Sequence, residues 1–517
     1  MSLARHIATV GSGTLVSRLL AYVRDAAIAA LLGTGPFAEA FFAVLQVVNF
    51  FRRLLAEGAL NSAFVPIWLR LAGTEDGAAK ADRFTIRTLV TAGAIAGAIA
   101  LLVVVSAHGI ICVIAPGFDA TRQHLAVLYL TLVAPYVVLA GLVAVISAAL
   151  NAEHRVAAVA ISMVMFNLVL VGLLAYAMLH RVPLVTIGIW LSTGIVSAAL
   201  IQLMITSAAW LSTGKRFRRV RAADRSGTFF ARALPGLIAA GAPQLKLIAA
   251  TAIVSSSPAA VSWLYYANRL YELPLGLASV VIAAVIVPRI AASLHTSEPN
   301  EFVSAQSRAY EIALGLALPA AAGFALLAQQ IAGGLFEHGA FGADDTTAVA
   351  AILTAICAGL PGHVLEKVFA AVSFAHEDTH TPMRAALAGL AAAVIGCFAL
   401  FPIFGYVGVA VAIALSAWVG AGLLGFLLSR RGWLRLDTQA QERLPRIVGA
   451  VAAMGVVVSV ALTVADLALP ALAGSALGRL GVLLALVVLG VLVYAAALDR
   501  LGVARIPQLI AALRRRG

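Results

Sequence analysis

The chain has 517 residues, 62% of them hydrophobic and only 11% charged, and its mean hydropathy is +1.00. A soluble globular domain carries about 25% charged residues, so this composition excludes a soluble enzyme and describes an all-α polytopic membrane protein. The net charge of +13 is clustered between apolar segments, where it sets topology and meets anionic lipid rather than nucleic acid.

Apolar runs separated by polar or Gly/Pro breaks predict about fourteen spans, centred near about residues 20, 50, 100, 135, 167, 195, 243, 275, 320, 358, 393, 418, 455 and 488. The start, MSLARHIATVGSG, is read as part of a charged first helix rather than as a cleaved signal. Polar side chains interrupt the second and eighth spans, which a hydropathy window would score poorly. Alternate loops are basic: Arg70, Lys80, Arg83 and Arg87; then Lys215, Arg216, Arg218, Arg219, Arg221 and Arg225; then Arg430, Arg431, Arg435, Arg443 and Arg446. Arg505 and Arg514 to Arg516 follow at the C-terminus. The GTGP, SSSP, PIFG and ADLALPALAGSALG loops carry no Lys or Arg, and the short PGFDATRQH and LHRVP turns carry one each. This bias, with an even number of spans, places both termini in the cytoplasm. The Lys215–Arg225 segment either lies along the anionic inner leaflet or simply joins two lobes.

The stretch Val16–Pro66 holds two apolar segments, yet Arg18, Arg24, Asp25, Arg52, Arg53 and Glu57 lie inside them. An ionised side chain at the bilayer centre costs roughly 2.5–3.5 kcal/mol on insertion scales, so such residues face a bundle interior or a watery cavity. Arg18 and Asp25 are two turns apart on one face of the first span. On the second, Asn49, Arg53, Glu57 and Asn61 recur every four residues beside Arg52. The seventh span carries Lys246, the eighth Tyr265, Asn268, Arg269 and Glu272, and the tenth His363, Glu366 and Lys367. Any single pair, such as Arg24–Asp25, Arg53–Glu57 or Arg269–Glu272, reads equally well as a packing ion pair. The set as a whole has more guanidinium groups than acids, and the surplus suits phosphate, which arginine grips in bidentate fashion. Gly58, Pro235, Pro243, Pro274 and Gly276 permit kinks in these spans.

An internal repeat emerges at a shift of 222 residues, which pairs Pro36 with Pro258, Leu55-Ala56 with Leu277-Ala278, Val65-Pro66 with Val287-Pro288, and Arg24 with Lys246. A shift of 226 pairs Pro135 with Pro361 and Ala149 with Ala375. The second copy begins after an even number of spans, so the halves share one orientation and are related by an axis along the membrane normal. The expected domains are a six-span lobe over 1–214, a basic linker over 215–227, a second six-span lobe over 228–432, and two further spans over 433–517. A central cationic cavity is expected between the pseudo-symmetric lobes.

Cys112, Cys357 and Cys397 lie in apolar runs and read as small buried hydrophobes. The segment from His376 to His380 matches the HExxH zinc pattern, but it falls in a short loop before Pro382, so no metal site is expected. No Walker motif is present, and no cofactor or catalytic residue is expected.

SRLLAYVRD, AEAFFAVLQVVNFFRRLLAEGALNSAFVP, the PGF turn at 116–118, YYANRLYELPLG, VIVPRI, LFEHGAFGADDT and FAHEDTHTP together resemble the MurJ (MviN) family of lipid II flippases. That family lies within the multidrug, oligosaccharide-lipid and polysaccharide exporters. The resemblance implies two lobes forming a V, alternating access to the cavity, and a lipid-tail groove made by the last two spans. It implies that Arg18, Arg24, Arg52 and Arg269 bind the lipid-linked pyrophosphate. Arg53 matches the paired-arginine pattern, and Asp25, Glu57 and Glu272 take gating or pairing roles, with Asn49 and Lys246 beside them. Lipid II, membrane lipids and cell-wall synthesis proteins are the implied partners, and a monomer in the bacterial inner membrane is expected. Some members bind sodium through acids and amides on the seventh, eleventh and twelfth spans. Here the seventh offers Lys246 and 383–403 holds no Asp, Asn or Glu, so that site is not expected. The usual ADAFF stands here as AEAFF, keeping the acid at Glu39. The alternatives are a flippase for another polyprenyl-linked oligosaccharide, a cation-coupled drug exporter, which would need acids rather than arginines in its cavity, and a non-transporting scaffold of cell-wall synthesis.

Overall fold

The structure is a computed structural model and describes residues 3–56, 59–212, 227–294, 299–468 and 476–503. Backbone alone is described at 3–15, 55–56, 59–63, 227–240, 294, 299–300 and 476–477. Glu57, Gly58, the Lys215–Arg225 segment, Arg505 and Arg514 to Arg516 lie outside the described residues, as do the side chains of Asn61 and Pro235.

Every regular element among the described residues is helical. Nine of these stretches are long and apolar enough to cross a bilayer, or ten if the pair Ala343–Cys357 and Leu360–Ala375, bent by 41°, counts as one. The second expected span is not among them, because its first helix carries Glu39, Arg52 and Arg53. The eighth is, contrary to expectation: Ala260–Val281 runs on through a π-helical turn, Ile282–Ile286, into Val287–Leu294, and this apolar extension outweighs the charges near its start.

By contacts the chain falls into two compact units. The first comprises Met1–Ser262 with His338–Phe341, the second Trp263–Glu337 with Gly342–Gly517. In the first unit, α1 (Leu3–Leu32), α2 (Pro36–Ala56), α3 (Ala59–Ala72), α4 (Gly77–Val105), α5 (Ala107–Ile114), α6 (Ala120–Val133), α7 (Pro135–Ala152), α8 (Val156–Leu179), α9 (Leu184–Leu211) and α10 (Gly227–Val254) follow in chain order. Lipid tails are as apolar as leucine, so close packing rather than burial from water holds such helices together. α1 lies along α8, α8 along α9, and α2 against both α6 and α10. Phe64, Trp68, Ile146, Leu150 and Trp210 form a core between α3, α4, α7 and α9. Gly188 lets α9 close on the Tyr129 hydroxyl of α6, where a β-carbon would approach to 2.0 Å.

The second unit holds α11 (Ala260–Val281) from Trp263 onward and α12 (Val287–Leu294), α13 (Pro299–Leu326), α14 (Ala328–Phe336), α15 (Ala343–Cys357), α16 (Leu360–Ala375), α17 (His380–Arg430), α18 (Thr438–Ala468) and α19 (Ala476–Arg500). α17 is 51 residues long but breaks at Gly405, whose φ of 56° and ψ of −140° only glycine adopts readily. The break falls in the expected PIFG turn. α18 and α19 pair with each other and seat on α13 and α14. At one end Arg479 donates to Glu337 at 2.6 Å. Midway Tyr494 donates to the Gly315 carbonyl at 2.8 Å. At the other end Gln306 donates to the Trp433 carbonyl at 2.8 Å, and the Asp437 N–H donates to Ser307 at 2.9 Å.

The HExxH segment is part of that junction. The His376 ring stacks on Trp433 at 4.0 Å, and its Nδ1 lies 2.9 Å from the Val372 carbonyl. Asp378 caps α17 through the N–H groups of His380 and Thr381 and pairs with Arg431. Among the described residues no cluster of three or more His, Cys, Asp or Glu could hold a metal. Burial pushes the Asp378 carboxyl up, but the bonds from Thr381, Arg431 and His380 outweigh it and hold the pKa at about 2, against an ordinary 3.8. The folded value is depressed, so its stabilisation is complete above about pH 4 and is lost as pH falls through about 2. Asp378→Asn should therefore lower stability at pH 7 by roughly 1–3 kcal/mol. Melting curves of the two purified proteins should converge between pH 4 and pH 2.

Candidate functional site

Helical spacing on α1 puts Ala21, Asp25, Ile28, Ala29 and Leu32 on a buried stripe, while Val16, Leu19 and Val23 are exposed. Asp25 is fully buried, and a lone carboxylate there would be prohibitive. Arg24 answers it with Nε at 2.9 Å and Nη2 at 2.7 Å from the same oxygen. The remaining terminal nitrogen, Nη1, donates to the Asn167 side-chain oxygen on α8 at 3.2 Å. The Asn167 amide in turn donates to the Ser17 hydroxyl at 3.1 Å and the Ser17 carbonyl at 3.2 Å. Arg24 is thus aimed by a second helix, and Ser17 and Asn167 are residues that the sequence did not single out. Arg18 is half-buried on α1, and among the described residues it makes no ion pair.

On α2, every residue from Phe41 to Val48 is buried, and burial then falls to intermediate from Asn49 to Leu54. Arg52 and Arg53 lie in this looser end, with Asn49 one turn earlier. Since α2 ends at Ala56 and α3 starts at Ala59, Asn49 and Arg53 share a helix while Asn61 belongs to the next. α10 is fixed to α2 by a buried amide pair, Gln244 donating to Gln46 at 2.6 Å. Gly241 lets it approach Phe50 and Leu54, whose atoms lie 3.5 and 3.7 Å from where a β-carbon would sit. Lys246 follows on α10 and is 6% exposed. In the second unit Arg269 and Glu272 pair at 3.3 Å one turn apart on α11, and Asn268 donates to the same carboxylate at 3.5 Å. Below them the Tyr271 hydroxyl meets His363 Nδ1 on α16 at 2.5 Å.

The first unit thus brings together Arg24, Asp25, Asn167 and Ser17, and it also holds Arg18, Arg52, Arg53 and Lys246. The second holds Arg269 and Glu272. Of the site residues that the sequence singled out in the first unit, the described ones include five cations and one acid, Asp25. Guanidinium groups in such surplus can bind a phosphate-type anion through paired N–H donors.

The model of the family described as lipid II flippase MurJ matches residues 28–469. A protein of Rhizobium meliloti (strain 1021) named "Probable lipid II flippase MurJ" is 39% identical over 473 residues, covering 89% of this chain and 87% of its own length. A solved structure described as lipid II flippase MurJ in an inward closed conformation superposes with a TM-score of 0.79 at 21% identity, covering 95% of this chain and 98% of that one. An inward-facing multidrug resistance MATE family transporter of the MOP superfamily shares the fold, with a TM-score of 0.67 at 17% identity over 80% of this chain and 94% of that one. The match across 28–469 and the 39% identity together establish that this multi-pass membrane protein belongs to the MurJ lipid II flippase family.

Proposed function

We propose that the chain is a lipid II flippase, carrying the undecaprenyl-pyrophosphate-linked peptidoglycan precursor from the inner to the outer leaflet of the bacterial cytoplasmic membrane. No bond is made or broken. The observation that carries this reading is the cluster of Arg18, Arg24, Arg52 and Arg53 inside otherwise apolar helices, in a member of this family. These arginines, with Arg269, hold the pyrophosphate, while Asp25 and Glu272 pair with and release them. Glu57, Asn49 and Lys246 act in gating.

Fourteen spans support this if α17 counts as two helices at Gly405. The charged first, second and seventh spans are then counted beside the apolar ones. Two six-span lobes over 1–214 and 228–432, joined by the basic linker 215–227, rock about the cavity while both termini stay in the cytoplasm. The last two spans, within 433–517, hold the lipid tail, and the protein acts as a monomer. The basic loops, including Arg430, Arg431, Arg435, Arg443 and Arg446, support this orientation.

Losing a charge-assisted phosphate contact costs roughly 1.5–3 kcal/mol, or about ten- to a hundredfold. In cells depleted of their own flippase, Arg18→Ala, Arg52→Ala and Arg269→Ala should each reduce lipid II in the outer leaflet by about that factor at equal protein level. Normal accumulation in all three would remove the site assignment. Asn167→Ala leaves the Arg24–Asp25 pair intact but unaims it, so a smaller loss of roughly three- to tenfold is expected. Asn167→Leu should match it if the amide matters rather than its volume. The head group is anionic, so a membrane potential negative inside drives it outward by roughly 2.3 kcal/mol per charge per 100 mV. Dissipating the potential should stall export in a reconstituted or cellular assay, and undiminished export would exclude potential as the drive.

A further inference from the structure

Two sequence blocks have no place in the anion site: AEAFF at 38–42 and PGFDATR at 116–122. The structure brings them together at one end of the first unit. Glu39 is 2% exposed and Arg122 is 7% exposed, and they pair at 2.9 Å. Arg122 also reaches Asp119 at 3.3 Å and the Gly117 carbonyl at 3.4 Å, and lies over the Phe118 ring at 4.9 Å. The pair also grips the turn between α10 and α11 by its backbone, through the second Glu39 oxygen and the same Arg122 nitrogen that meets Glu39. Glu39 Oε1 accepts from the Val261 N–H at 3.3 Å, and Arg122 Nη1 donates to the Ser255 carbonyl at 3.4 Å. The Gly117 N–H donates to the Ser255 hydroxyl at 2.9 Å, and a β-carbon on Gly117 would lie 2.3 Å from the Ser256 nitrogen. Further along, the Ala340 N–H donates to the Ala30 carbonyl at 2.9 Å, at the end of α1.

These bonds join elements of the first sequence repeat, α1, α2 and α6, to elements of the second, α10, α11 and the loop at 338–341. They cluster at the GTGP, PGF and SSSP turns, the side whose loops carry at most one Lys or Arg each. A buried ion pair adds little net stability over apolar residues, but it fixes geometry. Here both members come from the first repeat, so the pair stays whole when the turn departs. The two released atoms then gain water at the bundle end, and no charge is stranded.

We infer that Glu39 and Arg122 are the positioning pair of an outer latch, which holds the α10–α11 turn against α2 and α6 while the anion site faces inward and frees it for the outward step. This rests on the transport and orientation proposed above.

The test uses the full chain with Cys112, Cys357 and Cys397 replaced by alanine, in cells depleted of their own flippase. Gln46→Cys with Gln244→Cys, which lie behind the latch, is bridged with a short bis-methanethiosulfonate. Outer-leaflet lipid II should fall roughly tenfold or more on bridging and recover on reduction. Undiminished flipping by the bridged protein would overturn the latch. In a second measurement, Gln244→Cys alone is labelled from outside with a membrane-impermeant maleimide. Glu39→Gln should raise the labelling rate roughly tenfold and Glu39→Asp should restore it. An unchanged rate overturns the latch even if the bridged pair folds poorly. Ala120→Cys reports the side: labelling only after permeabilisation would overturn the orientation and the latch with it. Normal flipping by the Arg→Ala variants, with arrest on bridging, would remove the anion site and leave the latch standing.

Discussion

A guanidinium group inside a bundle of apolar helices is costly unless an anion faces it, and this constraint shapes the first unit. Asp25 answers Arg24 directly, and Asn167, itself held by Ser17, takes the third donor. The pair is therefore fixed in direction as well as neutralised. An interhelical hydrogen bond in a membrane contributes on average about 0.6 kcal/mol, so the Asn167 contact matters through aim more than through stability. Arg18, on the same helix, has no such carboxylate among the described residues.

The scaffold meets the opposite demand, close approach without polar cost. Gly359 and Gly362 let α16 lie against Ala414 and Ala417 of α17 so closely that β-carbons would come within 2.6 and 3.1 Å. The hairpin of α18 and α19 carries its ion pairs at its ends, with the Tyr494 bond to Gly315 midway. Arg443 and Arg308 converge on Glu311 at 3.3 and 3.4 Å, and Arg479 meets Glu337 at the far end of the hairpin formed by α18 and α19. Between these ends Val456, Val460, Val464, Val488, Val491 and Leu492 are exposed, which suits hydrocarbon. The hairpin is thus held by ion pairs at its rims and by Tyr494 between them, and is greasy along its exposed face.

Much of this was legible because membrane helices announce themselves by length and apolarity, and because charge inside them is rare. The arginines, the PIFG break and the basic loops could all be read from residue type and spacing. Asn167 could not, because nothing local links it to Arg24 across 143 residues of chain. A lone asparagine in an apolar run looks the same whether or not it aims a charge. Glu39 and Arg122, 83 residues apart, were invisible for the same reason: the signature blocks that contain them were recognisable, but their meeting was not. The π-helical turn at Ile282–Ile286 leaves no mark in hydropathy, so the length it adds to the eighth span could not be foreseen.

Two buried or half-buried arginines of the first unit, Arg24 and Arg122, meet different surroundings. Arg122 is bracketed by two carboxylates, Glu39 and Asp119, and two carbonyls, those of Ser255 and Gly117. The Arg122 N–H and guanidinium hold the Asp119 carboxyl below its ordinary range, so it stays ionised. Of the site residues that the sequence singled out in the first unit, Asp25 is the acid among those described, and it pairs with Arg24. Among the described residues, Arg24 thus meets one carboxylate where Arg122 meets two. In the proposed cycle, the roles of Arg24 in binding and Arg122 in the latch would be set by how many carboxylates surround each guanidinium.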